Sequence, residues 1–320
     1  MTTYIISFTG VVMKQLFYID GGAGRIIAAI PALLKFNRLN PNADWNVLIP
    51  AWDNLLWSIP ELQDRVYSLD TKGLFENTIS KADVIHSPEP YRVPGYFNQK
   101  LSLAQAFDKE INKTDDHSDL SPPIMMFNKN EKLWAKNTIE EAKAATKKSK
   151  TIIFQPYGSG AAINNKDVVD TSSRSLSVQA FLSLSKKLSA RYNVVFFGEP
   201  QLQVPEDTIT LKVPNADLRM WASLIDAADY FVGVDSVGQH MARAVGTKGT
   251  VIYGSTFPIN TSYPDYFQVL EKEGIKKYSP IRISGLDSVL ADRLNEKLME
   301  FEEKEIKEIY DTIVSDIEKR

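Results

Sequence analysis

The stretch YFVGVDSVGQHMARAVGTKGTVIYGSTFP, residues 230–258, decides how the rest of this chain is read. Tyr230 to Val234 is an apolar run of strand length that delivers Asp235 and Ser236 to its carboxyl end. Gly238 permits close approach just before a helix expected to begin near Gln239 and His240 and to end at Gly246. A second strand, GTVIY, then runs into a Gly/Ser/Thr loop that carries Ser255 and Thr256. A helix N-terminus after a strand offers unpaired N–H groups and the positive end of a dipole, which is where a diphosphate is best stabilised.

The same rhythm extends in both directions. TIIFQPYG (151–158) reads as a strand into a glycine loop, SVQAFLSLSKKLSARY (177–192) as an amphipathic helix and NVVFFGE (193–199) as another strand. ITLKV is a further strand and DLRMWASLIDAA a helix. In the first half, QLFYI (15–19), a GGAG turn and IIAAIPALLKFNRLN form a β-turn-α unit, with Pro31 placed near the first turns of its helix. WNVLIPA (45–51), RVYSL (65–69) and ADVIHS (82–87) are the next strands, with a short helix around NLLW. Residues 88–128 read as Pro-rich and irregular, and 130–150 as a charged helix whose basic end is a solvated face rather than a nucleic-acid patch. Strands alternating with helices predict parallel sheets covered on both faces.

We therefore expect an α/β protein of two Rossmann-like domains facing across a cleft. The expected divisions are an N-terminal Rossmann-like domain at 1–148, a C-terminal Rossmann-like domain at 149–285, and C-terminal helices at 286–320. At 320 residues the chain is long enough for two cores. Zero cysteines exclude disulfides, thiolate metal sites and cysteine nucleophiles, and only His86, His117 and His240 are present, so a His-rich metal cluster is not expected. A net charge of −3, from 37 basic and 40 acidic residues, argues against bulk attraction to nucleic acid. No apolar run approaches the ~18–20 residues that span a bilayer, and the N-terminus lacks a leader pattern, so a cytoplasmic protein is expected.

With these motifs in place, the sequence resembles glycosyltransferase family 9, the lipopolysaccharide heptosyltransferases. The family wording D-[ST]-G-x-x-H-x-A-x-A-x-G, then a strand and F-G-x-T-x-P, is matched by Asp235, Ser236, His240, Ala242, Ala244, Gly246, Gly254, Thr256 and Pro258. One departure is that Val237 stands where the family has glycine, with Gly238 one place later. The opening from Met13 to Pro50 is similar to the family's first β-α-β unit, so residues 1–12 would be an added edge strand or an upstream start. IIFQPYGSG resembles the family's V-x-x-x-P-G-x-S loop and points to Tyr157, Gly158 and Ser159.

The resemblance implies the GT-B architecture, with donor nucleotide on the second domain, acceptor on the first, inversion at the anomeric carbon, no cofactor and no obligatory metal. It also implies that the C-terminal helix packs back on the N-terminal domain. The implied activity is transfer of a hexosyl, heptosyl or pentosyl group from a nucleotide-diphosphate sugar to a hydroxyl of a cell-surface glycan or lipopolysaccharide-type acceptor. Two alternatives stand beside it. One is a phage-encoded enzyme of the host cytoplasm that glycosylates hydroxymethylated cytosine in DNA, and the other an inactive nucleotide-sugar-binding protein.

The first glycine loop, with Gly22 and Gly24, departs most from the family, because Arg25 occupies the place of the carboxylate taken to be the general base. Arginine cannot act as a base at neutral pH. Asp20 is the nearest substitute in sequence, with Glu89 and His86 as second choices. Their structural alternatives are a loop cap for Asp20 and a strand end for His86. Arg25 itself either binds an anionic acceptor or pairs with a buried carboxylate. The family's cation for the leaving diphosphate maps to Arg174, with Lys166 as runner-up, and either is otherwise a solvated loop charge. Glu199 is placed to accept hydrogen bonds from a ribose or base, and otherwise caps the following turn. Asp235, Ser236, Gly238, His240, Ser255 and Thr256 complete the expected donor site.

Overall fold

The computed structural model describes residues 12–158, 160–164, 167–170, 172–198, 208–213, 217–278 and 299–320. Most of the proposed N-terminal extension, residues 1–11, lies outside them. The first half contains β1 (Lys14–Tyr18), α1 (Ala23–Leu39), β2 (Asp44–Leu48), β3 (Val66–Tyr67), the single turn α2 (Leu74–Asn77) and β4 (Val84–His86). Every pairing in this sheet is parallel, in the order β3-β2-β1-β4. Alternate side chains of β1 and β2 face α1, where Phe17, Phe36 and Trp45 meet edge to face at centroid distances of 5.0, 5.9 and 5.4 Å. α1 is buried on nearly all sides, as its run of Ile, Ala and Leu requires. Pro31 sits near the middle of that helix rather than in its first turns, so one interior backbone hydrogen bond is absent there.

The segment 88–128, expected to be irregular, contains α3 (Pro94–Phe97) and the ten-residue α4 (Leu103–Asn112). α4 starts on a reciprocal capping box between Ser102 and Gln105, a signal present in the local sequence. It packs on α1, and Lys35 of α1 reaches the fully buried Asp108 at 3.0 Å, with His117 Nδ1 2.7 Å from the same carboxylate oxygen.

α5 (Lys129–Thr146) opens on a second capping box, Asn128 with Glu131. The chain continues through β5 (Thr151–Gln155), a hairpin of β6 (Ala161–Asn164) and β7 (Asp167–Asp170), α6 (Val178–Ser189), β8 (Asn193–Phe197) and β9 (Leu211–Val213). Then come α7 (Leu218–Ala227), β10 (Tyr230–Val234), α8 (Val237–Val245), β11 (Gly249–Tyr253), the turn α9 (Pro258–Thr261), β12 (Gln268–Glu271) and α10 (Glu303–Glu318). The antiparallel hairpin and β12 were not expected from the sequence. The six-stranded sheet is parallel throughout, ordered β12-β11-β10-β5-β8-β9. The chain winds away from β5 toward β8 on one side and β10 on the other, so a crevice opens at the carboxyl ends of β5 and β10.

Two expectations about the domains need correction. α5 packs on α7 and, through Lys143 at 3.3 Å from Asp229, holds to the second sheet, so the crossing between domains comes before this helix rather than at residue 148. α10 lies on α6, not on the first domain. Ile306, Ile309, Ile313 and Ile317 share one buried cluster with Leu184 and Leu188, and Tyr230 donates its hydroxyl hydrogen bond to Asp316 at 2.7 Å. The apolar stripe of α10 finds its nearest uncovered apolar surface on the domain it follows. Residues 286–298 of the expected C-terminal helices lie outside the described residues.

Candidate active site between the two sheets

β10 ends on Asp235, which is 4% exposed and fully engaged. Its Oδ2 accepts from Thr256 Oγ1 at 2.8 Å and its Oδ1 from Gln239 Nε2 at 3.2 Å, while Arg174 Nη1 lies 3.8 Å away. One carboxylate thereby ties together the β10 corner, the first turn of α8, the loop after β11 and the loop after β7. Gln239 is held in turn by the hydroxyl of Tyr253, which also meets Thr261. Burial keeps that phenol protonated, with the Asp235 charge adding to the effect.

Arg174 is presented by a loop folded around Asp170. That carboxylate accepts from the amide and hydroxyl of Ser172, from those of Ser175 and from the amide of Arg174. Burial opposes ionisation of Asp170, but the hydrogen bonds from Ser172 and Ser175 and the charge of Arg174 outweigh it and hold the carboxyl below its usual range. Arg174 Nε donates to Ser172 Oγ at 3.0 Å, and Ser175 Oγ accepts from the amide of Gly158 at 3.0 Å. The guanidinium is therefore fixed by a built loop rather than left as a solvated charge.

α8 begins at Val237, two residues earlier than expected, with Ser236 at its N-cap. The cap is supplied from β5: Gln155 Oε1 accepts from Gly238 N at 2.9 Å and Gln155 Nε2 donates to Ser236 Oγ at 3.2 Å. The Gly238 amide is thereby satisfied within the protein. The Thr256 proton is likewise directed to Asp235.

His240 is buried on the first turns of α8, with Nδ1 2.9 Å from Tyr263 Oη. Burial pushes its pKa down to about 4; the Asp235 charge works against this and the Arg174 charge adds to it. The ring is neutral at physiological pH. Its other edge faces the first domain at Gly24, where a Cβ would come 3.2 Å from Nε2. The glycine turn before α1 uses a left-handed φ of 101° at Gly21, while a Cβ on Gly22, the N-cap, would meet nothing within 4 Å.

Arg25 is turned inward. Its Nη1 donates to Glu89 Oε1 at 2.9 Å and its Nη2 to Glu89 Oε2 and to the carbonyl of Pro88, both at 3.3 Å, with Asp20 Oδ1 3.5 Å away. The ring of Tyr91 lies 5.0 Å from the guanidinium carbon. Of the two readings open for Arg25, the buried carboxylate partner is the one observed. Glu89 is thus engaged by two nitrogens of Arg25, while Asp20, at the end of β1, lies at the longer distance. His86 stacks on Phe17 at 4.9 Å and pairs with Gln15 at 3.0 Å, so its ring serves the sheet.

Arg174, Gly158, Asp235, Ser236, Gly238, His240, Ser255 and Thr256 thus converge on one end of the second sheet, with Ser255 Oγ reaching the carbonyl of Ser172 at 3.3 Å. Gly22, Gly24, Asp20 and Arg25 gather at the corresponding end of the first. Tyr157 is buried against Phe181 and Phe196, beneath the site rather than lining it. Ser159, Lys166 and Glu199 lie outside the described residues. Gln155, Asp170, Gln239, Tyr253 and Tyr263 were missed. Asp170 had a readable signal, an acidic residue followed by Thr-Ser-Ser, which favours a side-chain-capped turn.

Residues 180–270 match the family model of glycosyltransferase family 9 (heptosyltransferase). In fold the chain is similar to a glycosyl transferase family 9 protein from Veillonella parvula, with a TM-score of 0.65 at 14% identity, covering 95% of this chain and 98% of that one. It is also similar to the E. coli ADP-heptose lipopolysaccharide heptosyltransferase II, with a TM-score of 0.62 at 16% identity over 95% of this chain and 99% of that one. A third relative in structure is the iron-containing dodecameric glycosyltransferase TibC from enterotoxigenic E. coli, at 0.60 and 12% over 97% and 80% of the two chains. By sequence no curated protein gives a significant match. The resemblance to glycosyltransferase family 9 and the two-sheet α/β fold are supported together. Among the described residues no helix is long and apolar enough to cross a membrane.

Proposed function

We propose that the protein is a glycosyltransferase that moves a sugar from a nucleotide-diphosphate sugar to a hydroxyl of a saccharide acceptor of the cell-surface or lipopolysaccharide type, with inversion. The observation that carries this reading is the fixed Arg174 guanidinium beside Asp235 and the start of α8, at the switch point of a six-stranded parallel sheet. The donor diphosphate lies there, with its charge facing Arg174 and the Ser236 hydroxyl. As the glycosidic bond to phosphate breaks, negative charge grows on the leaving oxygen, and a fixed cation in a closed cleft favours that charge over the starting state.

The acceptor hydroxyl approaches from the first domain and attacks the anomeric carbon in line. Asp20 accepts its proton, with Arg25 holding the Asp20 side chain against the first turn of α1. Neutral His240 closes the seam between the helices and helps keep water from the donor.

The test is incubation of the purified protein with ADP-heptose, UDP-glucose and GDP-mannose, each with and without saccharide acceptors, following release of nucleoside diphosphate and the anomeric configuration of the product. Arg174→Ala should lower kcat by about 10²–10³-fold. Absence of binding or turnover with every nucleotide sugar would sink the reading.

A further inference from the structure

Gln155 stands at the last position of β5, and its amide is placed where it can be oriented in one way only. Gly238 N–H can only donate, so the atom facing it at 2.9 Å must be the Gln155 oxygen. The Gln155 NH2 group then faces Ser236 Oγ at 3.2 Å, and that hydroxyl must accept. A serine hydroxyl that accepts from one side directs its own proton elsewhere. Ser236 is half-buried and stands next to Gly158, whose added Cβ would lie 4.0 Å from Ser236 Oγ. We infer that Gln155 is a positioning residue that makes Ser236 a one-way proton donor to an anionic oxygen of the donor's diphosphate.

The neighbouring hydroxyls sharpen this assignment. Thr256 donates to Asp235, Ser172 and Ser175 donate to Asp170, and Ser255 donates to the carbonyl of Ser172. The amides of Gly158 and Gly238 are taken by Ser175 and Gln155. Among these hydroxyls, Ser236 is the one whose proton is left for an anion, and it stands beside the α8 N-terminus and the outer face of Arg174. The sequence departure at 237–238 also gains a reason. A Cβ on Gly238 would overlap Gln155 Oε1, so glycine at this place is what admits the amide. The exchange of Gly and Val237 within the motif goes together with a cap delivered from β5.

The inference rests on the donor-site reading above, and its test separates the two. Gln155→Met, Ser236→Ala and the double variant are titrated calorimetrically with ADP, UDP and GDP, and the diphosphate that binds the unaltered protein is followed. Each single change should weaken binding at least about fivefold, given the strength of a hydrogen bond to a charged group. The double variant should bind no more weakly than Ser236→Ala, because Gln155 acts through that hydroxyl. A second variant, Gln155→Glu, keeps the acceptor for Gly238 and therefore the cap of α8. It turns the Ser236 proton inward and sets a carboxylate behind the site, so binding should fall further than in Ser236→Ala. Effects of Gln155→Met and Ser236→Ala that multiply, or a Gln155→Glu protein that binds as tightly as the unaltered one, would overturn the inference alone. An unaltered protein that binds none of the three diphosphates would overturn the donor-site reading and the inference with it.

Discussion

Gly24 and His240, one in each domain, meet where α1 packs on α8: a Cβ at Gly24 would lie 2.7 Å from Cδ2 of the imidazole. The glycine is what lets the first turn of α1 rest against the motif helix. Gly24→Ala should force the ring or the domain aside, at about 1–3 kcal/mol for an overpacked contact. Turnover of the nucleotide sugar is expected to fall at least tenfold while far-ultraviolet circular dichroism stays unchanged. Full activity in this variant would mean that the seam is not maintained during the reaction.

His240 also makes stability depend on pH. Its pKa is about 4 in the folded chain against about 6.5 when unfolded. The unfolded chain therefore binds the proton first as pH falls, and this contribution is complete above about 6.5 and lost on the way down to about 4. The shift corresponds to about 3 kcal/mol. Denaturant titrations from pH 7 to 4 should show a shallower loss of stability in His240→Asn than in the unaltered protein. Parallel curves would contradict the buried neutral ring.

Arg219 of α7 is 3% exposed and uses its whole fork: Nε and Nη2 on Glu131, Nη1 on the carbonyls of Asn54 and Trp57, and Nη2 on that of Met126. It pins the loop after β2 to the second domain, assisted by Asn54 Nδ2 at 2.9 Å from Asp217. A lysine cannot reproduce that planar geometry. Arg219→Lys should cost about 3–5 kcal/mol, since it leaves buried partners unsatisfied. Chemical denaturation is expected to separate into two transitions as the domains lose their shared restraint. A single unshifted transition would show that the clamp is dispensable.

Gly249 begins β11 beside Phe231 of β10, and a Cβ there would overlap the Phe231 carbonyl oxygen, a backbone atom that cannot swing away. Gly249→Ala should destabilise by about 2–3 kcal/mol or more. At Gly22 a Cβ meets only open space, and Gly22→Ala should leave stability within about 1 kcal/mol. Thermal unfolding of the pair distinguishes steric packing from the general cost of replacing glycine, because equal shifts would exclude the steric explanation.

The alternation of strand and helix, the doubled β/α rhythm and the order strand, Asp235-Ser236, helix, strand, Ser255-Thr256 were all determined by the sequence alone. Each is a short-range property, set by apolar period and by residues within a few positions of one another. Missed local elements had weak signals: α4 hid in a Pro-rich stretch despite its Ser102-Gln105 box, and the 161–170 hairpin has strands of only four residues. Tertiary structure alone decided what the polar groups are doing. Arg25 belongs to Glu89, 64 residues away, with Asp20 at a longer distance. Gln155 caps a helix 83 residues later and satisfies the amide of Gly238. α10 found α6 rather than the first domain. A buried donor or acceptor must be paired, but which distant partner pairs with it depends on how two sheets and their loops pack, and no local pattern encodes that choice.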